Sequence, residues 1–142
     1  MRASVLIGLA AFLTACTASM NGGLDVDPVS NWSAELSSQS GSTVRGAAAA
    51  QSAVATTGVS VSIRAEPGAR HPWHIHVGTC GSNGAIVGDA AAYPVLQVGS
   101  NGVASATANL LVGLNRGGQY YVNVHRSPQN LGTIVACGAL RP

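Results

Sequence analysis

The chain contains no lysine, and its seven arginines and five acids leave a formal net charge of +2 over 142 residues. Charged residues make up 8 % of the sequence, too few for the clustered basic face that nucleic-acid binding requires. Aromatics are almost as scarce at 4 %, and the single phenylalanine, Phe12, lies close to the N-terminus, so any core rests on valine, alanine, leucine and isoleucine. No stretch keeps a sustained helical period, which argues against a helical bundle. The longest apolar run, Val5 to Leu13, is too short to span a bilayer. Only three cysteines are present, Cys16, Cys80 and Cys137.

The first residues read as an export signal rather than as part of a fold. Arg2 supplies the positive charge, Val5–Leu13 the apolar stretch, and Leu13-Thr14-Ala15 the small residues before Cys16. The ending Leu-Thr-Ala-Cys resembles the bacterial lipobox, after which Cys16 becomes a lipidated N-terminus. The alternative is an ordinary signal peptide cut nearby, with Cys16 incidental. Thr17 in place of an aspartate implies, by the same resemblance, sorting to the outer membrane. The expected organisation is residues 1–15 as lipoprotein signal peptide, 16–28 as lipidated cysteine and flexible tether, and 29–142 as one β domain. Once Arg2 is removed with the signal, the mature chain is close to neutral.

From Val29 onward, short alternating runs punctuated by glycine point to an all-β domain. Asn31–Leu36, Val44–Ser52, Val59–Ile63, the stretch ending at Val77, Val95–Val98, Val103–Leu111, Tyr120–His125 and Thr133–Leu140 read as about eight strands. Val44–Ser52 holds four successive alanines, which favour helix by propensity, but its neighbours argue for a strand. Asn101-Gly102 is a tight-turn pair, so Val95–Val98 and Val103–Leu111 are expected to pair across it. With Cys16 set aside, Cys80 and Cys137 in an exported chain invite a disulfide worth about 4 kcal/mol in the chain-entropy model; the alternative is two free buried thiols.

The densest chemistry is His71-Pro72-Trp73-His74-Ile75-His76. On a strand, residues two apart share a face, so His74 and His76 can reach one metal ion while Trp73, Ile75 and Val77 turn inward. The fourth and last histidine, His125, ends the Tyr120–His125 strand, on the face shared by Tyr121 and Asn123. Trp73 is expected in the core, Tyr121 at a sheet edge, with a place bordering the metal as the alternative, and Arg64, Arg70, Glu35 and Glu66 in solvent.

In order along the chain, AELSSQSGSTVRGAAAAQ, GVSVSIRAEPGARHPWHIHVGTC, VLQVGSNGVASATANL, YYVNVH and VACGAL resemble the copper/zinc superoxide dismutase family over nearly the whole domain. The resemblance implies an eight-stranded Greek-key β-barrel or sandwich with shortened loops. It implies copper ligation by His74, His76 and His125. It assigns His71 to bracing the ligand strand by a hydrogen bond, with a move inward as fourth ligand as the alternative, and it pairs Cys80 with Cys137.

The departures from the family pattern are equally informative. Asp89 matches the zinc aspartate, but no histidine accompanies it, so no zinc is expected. The bridging histidine is missing, and Ile134 stands where the family carries its active-site arginine. Arg126, beside His125, is the one candidate to replace it. Three imidazoles favour copper on intrinsic affinity and leave a position open for a small anion such as superoxide. In dismutation one superoxide reduces Cu(II) and leaves as O2; a second reoxidises Cu(I) and, with two protons, becomes hydrogen peroxide. Without the anion funnel and the bridging histidine, the expectation is copper binding with weak or absent dismutation. The alternatives are a copper carrier or buffer held at the envelope, and a metal-free remnant of the fold. A hydrolytic zinc site lacks a carboxylate placed as base. No partner protein and no nucleic acid is implied, and the membrane enters only through the lipid anchor.

Overall fold

A computed structural model describes residues 29–142; the expected signal peptide, Cys16 and the tether lie outside the described residues. The described residues are all-β, with strands β1 (Ser30–Ser38), β2 (Arg45–Ser52), β3 (Thr57–Arg64), β4 (Arg70–His71), β5 (Trp73–Val77), β6 (Leu96–Gln97), β7 (Val103–Leu110), β8 (Tyr120–Ser127) and β9 (Asn130–Leu140). One 3-10 turn, Ala90–Ala92, lies between β5 and β6. Seven strands form a curled antiparallel sheet in the order β5-β8-β9-β1-β2-β3-β7, a half-barrel, and β4 pairs with β6 in a second short ladder. Nine strands stand where about eight were expected because Pro72, which has no N–H to give a ladder, separates β4 from β5.

Alternation decides which side of each strand meets the core. In β1, Trp32, Ala34 and Leu36 face inward while Asn31, Ser33 and Glu35 face solvent. In β3, Val59, Val61 and Ile63 do the same. The alanine run of β2 follows this rule against its helical propensity: Ala48 and Ala50 are buried and Ala47 and Ala49 are not. Small inward residues there let the sheet curl around the larger Trp32, Trp73, Ile75 and Leu110.

Two expectations are corrected. The Asn101-Gly102 turn does form, with Gly102 N–H donating to the Gly99 carbonyl at 2.9 Å, but the segments on either side are not each other's ladder partners. β7 pairs along its whole length with β3, from Thr57 opposite Leu110 to Arg64 opposite Val103. β6 turns aside to β4, with His71 opposite Leu96. An eight-position ladder outweighs the short one that the hairpin offered. Val77, expected inward, is 50 % exposed: by parity it belongs with Trp73 and Ile75, but it lies at the last position of β5, beyond the edge of the core.

β8 differs from the half-exposed strands. Five consecutive residues, Tyr121 to His125, are buried. Val122 and Val124 meet the core, and the opposite face is covered as well, by the segment that follows β5. That covered outer face is where the histidines gather.

Candidate metal centre

β5 sends Trp73 and Ile75 into the core and leaves His74 and His76 on the outside of the sheet. The register with β8 puts His74 opposite Asn123 and His76 opposite Tyr121. His125 lies one step beyond the ladder, where its N–H donates to the Pro72 carbonyl at 2.8 Å. Its ring is thus a diagonal cross-strand neighbour of His74, within reach for a side chain of this length. Ring centroids are 5.1 Å apart for His74 and His125, 5.8 Å for His74 and His76, and 6.1 Å for His76 and His125. One nitrogen from each ring lies within 4.8 Å of those from the other two.

The hydrogen bonds on the far side of two rings fix which nitrogen is free. His76 Nδ1–H donates to the Gly84 carbonyl at 2.8 Å, and His125 Nδ1–H donates to the Leu131 carbonyl at 2.6 Å. A carbonyl can only accept, so in each neutral ring the lone pair sits on Nε2. His76 Nε2 is buried with no hydrogen-bond partner. His74 Nδ1 and His125 Nε2 lie 3.1 Å apart, closer than the roughly 4 Å that two metal–nitrogen bonds of about 2 Å can bridge. The donor set that fits an ion is therefore His74 Nδ1, His76 Nε2 and His125 Nε2. All are imidazole nitrogens of intermediate softness, suited to copper, zinc or nickel.

Two of the rings, His74 and His125, are pushed toward the neutral, ligating form. Burial, followed by the neighbouring His125 and His76, pushes the His74 pKa down to about 4. His125 is lowered as well, by burial first; the hydrogen bond to Leu131 opposes this and His76 adds to it. His76 and His125 are buried, whereas His74 is partly exposed and forms the mouth of the cluster.

His71 is buried outside the triad, with Nδ1–H donating to the backbone carbonyl of His125 at 2.9 Å. It braces the backbone of His125 rather than offering that nitrogen to the cluster. Cys80 and Cys137 are joined, with Cα atoms 6.0 Å apart. This bond ties the segment after β5 to β9. The same segment is laced to β5 by Val77 N–H to Ala85 O and Val87 N–H to Ile75 O. Asp89 is exposed and accepts from Ala91 N–H as the cap of the 3-10 turn; it is not among the clustered donors. Arg126 is exposed, and Ile134 is the register partner of His125. Glu35, Glu66, Arg64 and Arg70 are exposed.

Two contributors, Gly84 and Tyr93, escaped the sequence reading, and a third, Tyr121, takes the alternative place beside the histidines. Tyr121, expected at a sheet edge, is fully buried and stacks on His76, with centroids 5.2 Å apart and planes at 21°. The loop covers it, which alternation along β8 alone does not reveal. Gly84 holds both residues: its carbonyl accepts from His76, and its N–H donates to the Tyr121 hydroxyl at 3.0 Å. Tyr93 stands edge-on to both Trp73 and His74 and donates its hydroxyl to the Val87 carbonyl at 2.6 Å. Burial raises its pKa to about 12, so it stays a neutral donor. For Tyr93 the only available signal was a tyrosine in the loop that follows a His-x-His strand.

A surface hollow of about 660 Å³ lies elsewhere, on the outer face of β1–β3 and β7 near Asn31, Gln51, Ser60 and Asn109, and carries no titratable group. Chemistry is concentrated at the histidines. Fold and cluster together define an all-β domain with a three-histidine centre able to hold one metal ion. No family model matches the chain, and no curated protein matches it.

Proposed function

We propose that this chain is a copper-binding, envelope-anchored domain of the superoxide dismutase type, with weak or absent dismutation. The observation that carries the copper site is the buried, unpartnered Nε2 of His76 beside two further imidazole nitrogens. A buried polar atom without a partner is costly, and a metal ion satisfies a lone pair there as no neighbouring donor does. The choice of copper rests on the affinity order of divalent ions for nitrogen ligands. The family reading is supported by the seven-stranded order in which the last strand, β9, lies beside the first, and by the HxxHxH spacing with its matched cysteines. The anchor rests on the Leu-Thr-Ala-Cys ending at Cys16, with the outer membrane as the expected destination and no partner beyond the membrane and a small anion.

Copper, when bound, supplies a one-electron couple. The protein's own residues orient the rings of His76 and His125 through the carbonyls of Gly84 and Leu131, and burial lowers the pKa of His74 and His125. Ile134 beside His125 offers no charge to an incoming anion, and Arg126 is solvent-facing, which is why the expected turnover is low.

A carrier role has its own support. His74 Nδ1–H can donate to His125 Nε2 across 3.1 Å, so the ion-free cluster leaves only His76 Nε2 unsatisfied, and release is correspondingly easy.

Titration with Cu(II) followed by electron spin resonance is expected to give one equivalent with nitrogen hyperfine splitting. A His74→Ala, His76→Ala double variant is expected to lose it. An unchanged signal in the double variant would falsify the assignment. Superoxide consumption by the loaded protein, compared with the same copper in buffer, separates enzyme from carrier.

A further inference from the structure

At the end of the half-barrel where the described chain begins, three apolar side chains stand in solvent: Val29 at 52 %, Val54 at 69 % and Leu111 at 93 % exposure. They come from three separate segments that meet there. Val29 precedes β1, Val54 is in the β2–β3 turn, and Leu111 follows β7. These segments are stitched by buried hydroxyls. Ser30 Oγ donates to the Ser52 carbonyl at 3.3 Å, Ser52 Oγ and Thr57 Oγ1 are 2.9 Å apart, Thr57 Oγ1 donates to the Val112 carbonyl at 2.8 Å, and Leu114 N–H donates to Ser52 Oγ at 2.6 Å. Gly113 closes the seam: a Cβ there would lie 2.3 Å from the Ala53 carbonyl oxygen and 2.4 Å from that of Val54. The apolar tips are thus mounted on a rigid base rather than on loose loops. A fixed apolar patch of this kind, beside the exposed Arg116, marks an interaction surface.

Its occupant follows from where the chain leads. Residues 17–28 join Val29 to Cys16. A segment of that length spans about 43 Å at full extension and about 20 Å as a coil, whereas a strand such as β1 alone runs about 30 Å. The end carrying Val29 is therefore the end nearest to an acyl chain on Cys16. We propose that this end docks on the phospholipid bilayer that holds the anchor, with Leu111 and Val54 entering the headgroup boundary. The inference rests on the acyl anchor proposed above. Docking fixes the orientation of the domain and sends the β8–β9 turn, beside the His125 end of the cluster, away from the lipid.

The test uses the full chain, exported and purified in its processed form, in vesicles of phosphatidylethanolamine and phosphatidylglycerol. Mass spectrometry reads acylation of Cys16 independently. In a Leu111→Trp variant the native Trp32 and Trp73 are buried and supply a constant background. The expected result is a blue shift on reconstitution and loss of intensity with bromine-labelled lipid. Leu131→Trp, at a residue 49 % exposed at the start of β9, next to the β8–β9 turn, is expected to show neither. A chain without acylation overturns anchor and docking together. An acylated chain whose tryptophan at 111 keeps its water-exposed emission overturns docking alone. A blue shift already present without vesicles, accompanied by a dimer in sedimentation, overturns it in favour of a second copy.

Discussion

Gly84 sits where no other residue fits. A Cβ there would come within 1.6 Å of the Val77 carbonyl oxygen, while both of its backbone polar groups serve the cluster, one on His76 and one on Tyr121. Gly84→Ala is therefore expected to push the covering segment off β5 and release His76. Loss of such an orienting partner typically costs 10- to 100-fold in metal affinity. Competition with a chelator measures it, with circular dichroism to check that the sheet survives; an unchanged affinity would show that His76 needs no such support. Acid gives a second test at this scale. His74 has its pKa lowered to about 4 by burial and by the adjacent His125 and His76, against roughly 6.5 for a free imidazole. Between those values the unfolded chain binds a proton that the folded chain refuses. Stability from this residue is thus complete above about 6.5 and is lost as pH falls through about 4. Urea midpoints at pH 7 and pH 5 are expected to fall with acidity, and a His74→Ala variant is expected to show a smaller fall. The three clustered histidines were legible from alternation and resemblance. Gly84 and Leu131 were not, because they act through backbone carbonyls whose position depends on how distant segments come together.

At the scale of elements, β5 and β8 are each legible and their registration is not. Period-two alternation assigns the inward Val122 and Val124, but nothing in it says that Tyr121 lies across from His76. Similarly, Asn101-Gly102 announced a turn correctly while the strands beside it chose other partners, since ladder length across the whole sheet decides between competing pairings. The disulfide is the strongest single tie between elements. It closes a separation of 57 residues, for which the chain-entropy model gives about 4 kcal/mol. Replacing both Cys80 and Cys137 by serine is expected to lower the stability by about that amount. The shift would be read from the urea midpoint and the slope of the transition together, the slope being expected to rise because the unfolded chain without the cross-link is less compact. A midpoint that does not move would mean that the lacing of Ala85 and Val87 to β5 already holds the segment without the covalent bond.

For the molecule as a whole, the all-β class and the scarcity of charge were plain from composition. The half-barrel's curl was not, since it comes from where alanines of β2 face larger residues of other strands. The curl leaves the histidines on the convex side, where a roof is needed, and a short glycine-containing segment supplies it. One result of that roofing concerns timing. The amide of His125 is held by Pro72, its carbonyl by His71 and its Nδ1 by Leu131, and His76 is gripped by Gly84. Two of three rings are immobilised when the polypeptide folds, long before any ion arrives. Capture then requires little ordering of its own. Amides around the cradle will resist hydrogen exchange equally with and without an ion, and variants that change affinity while leaving these bonds intact will differ in how long the ion stays rather than in how fast it comes.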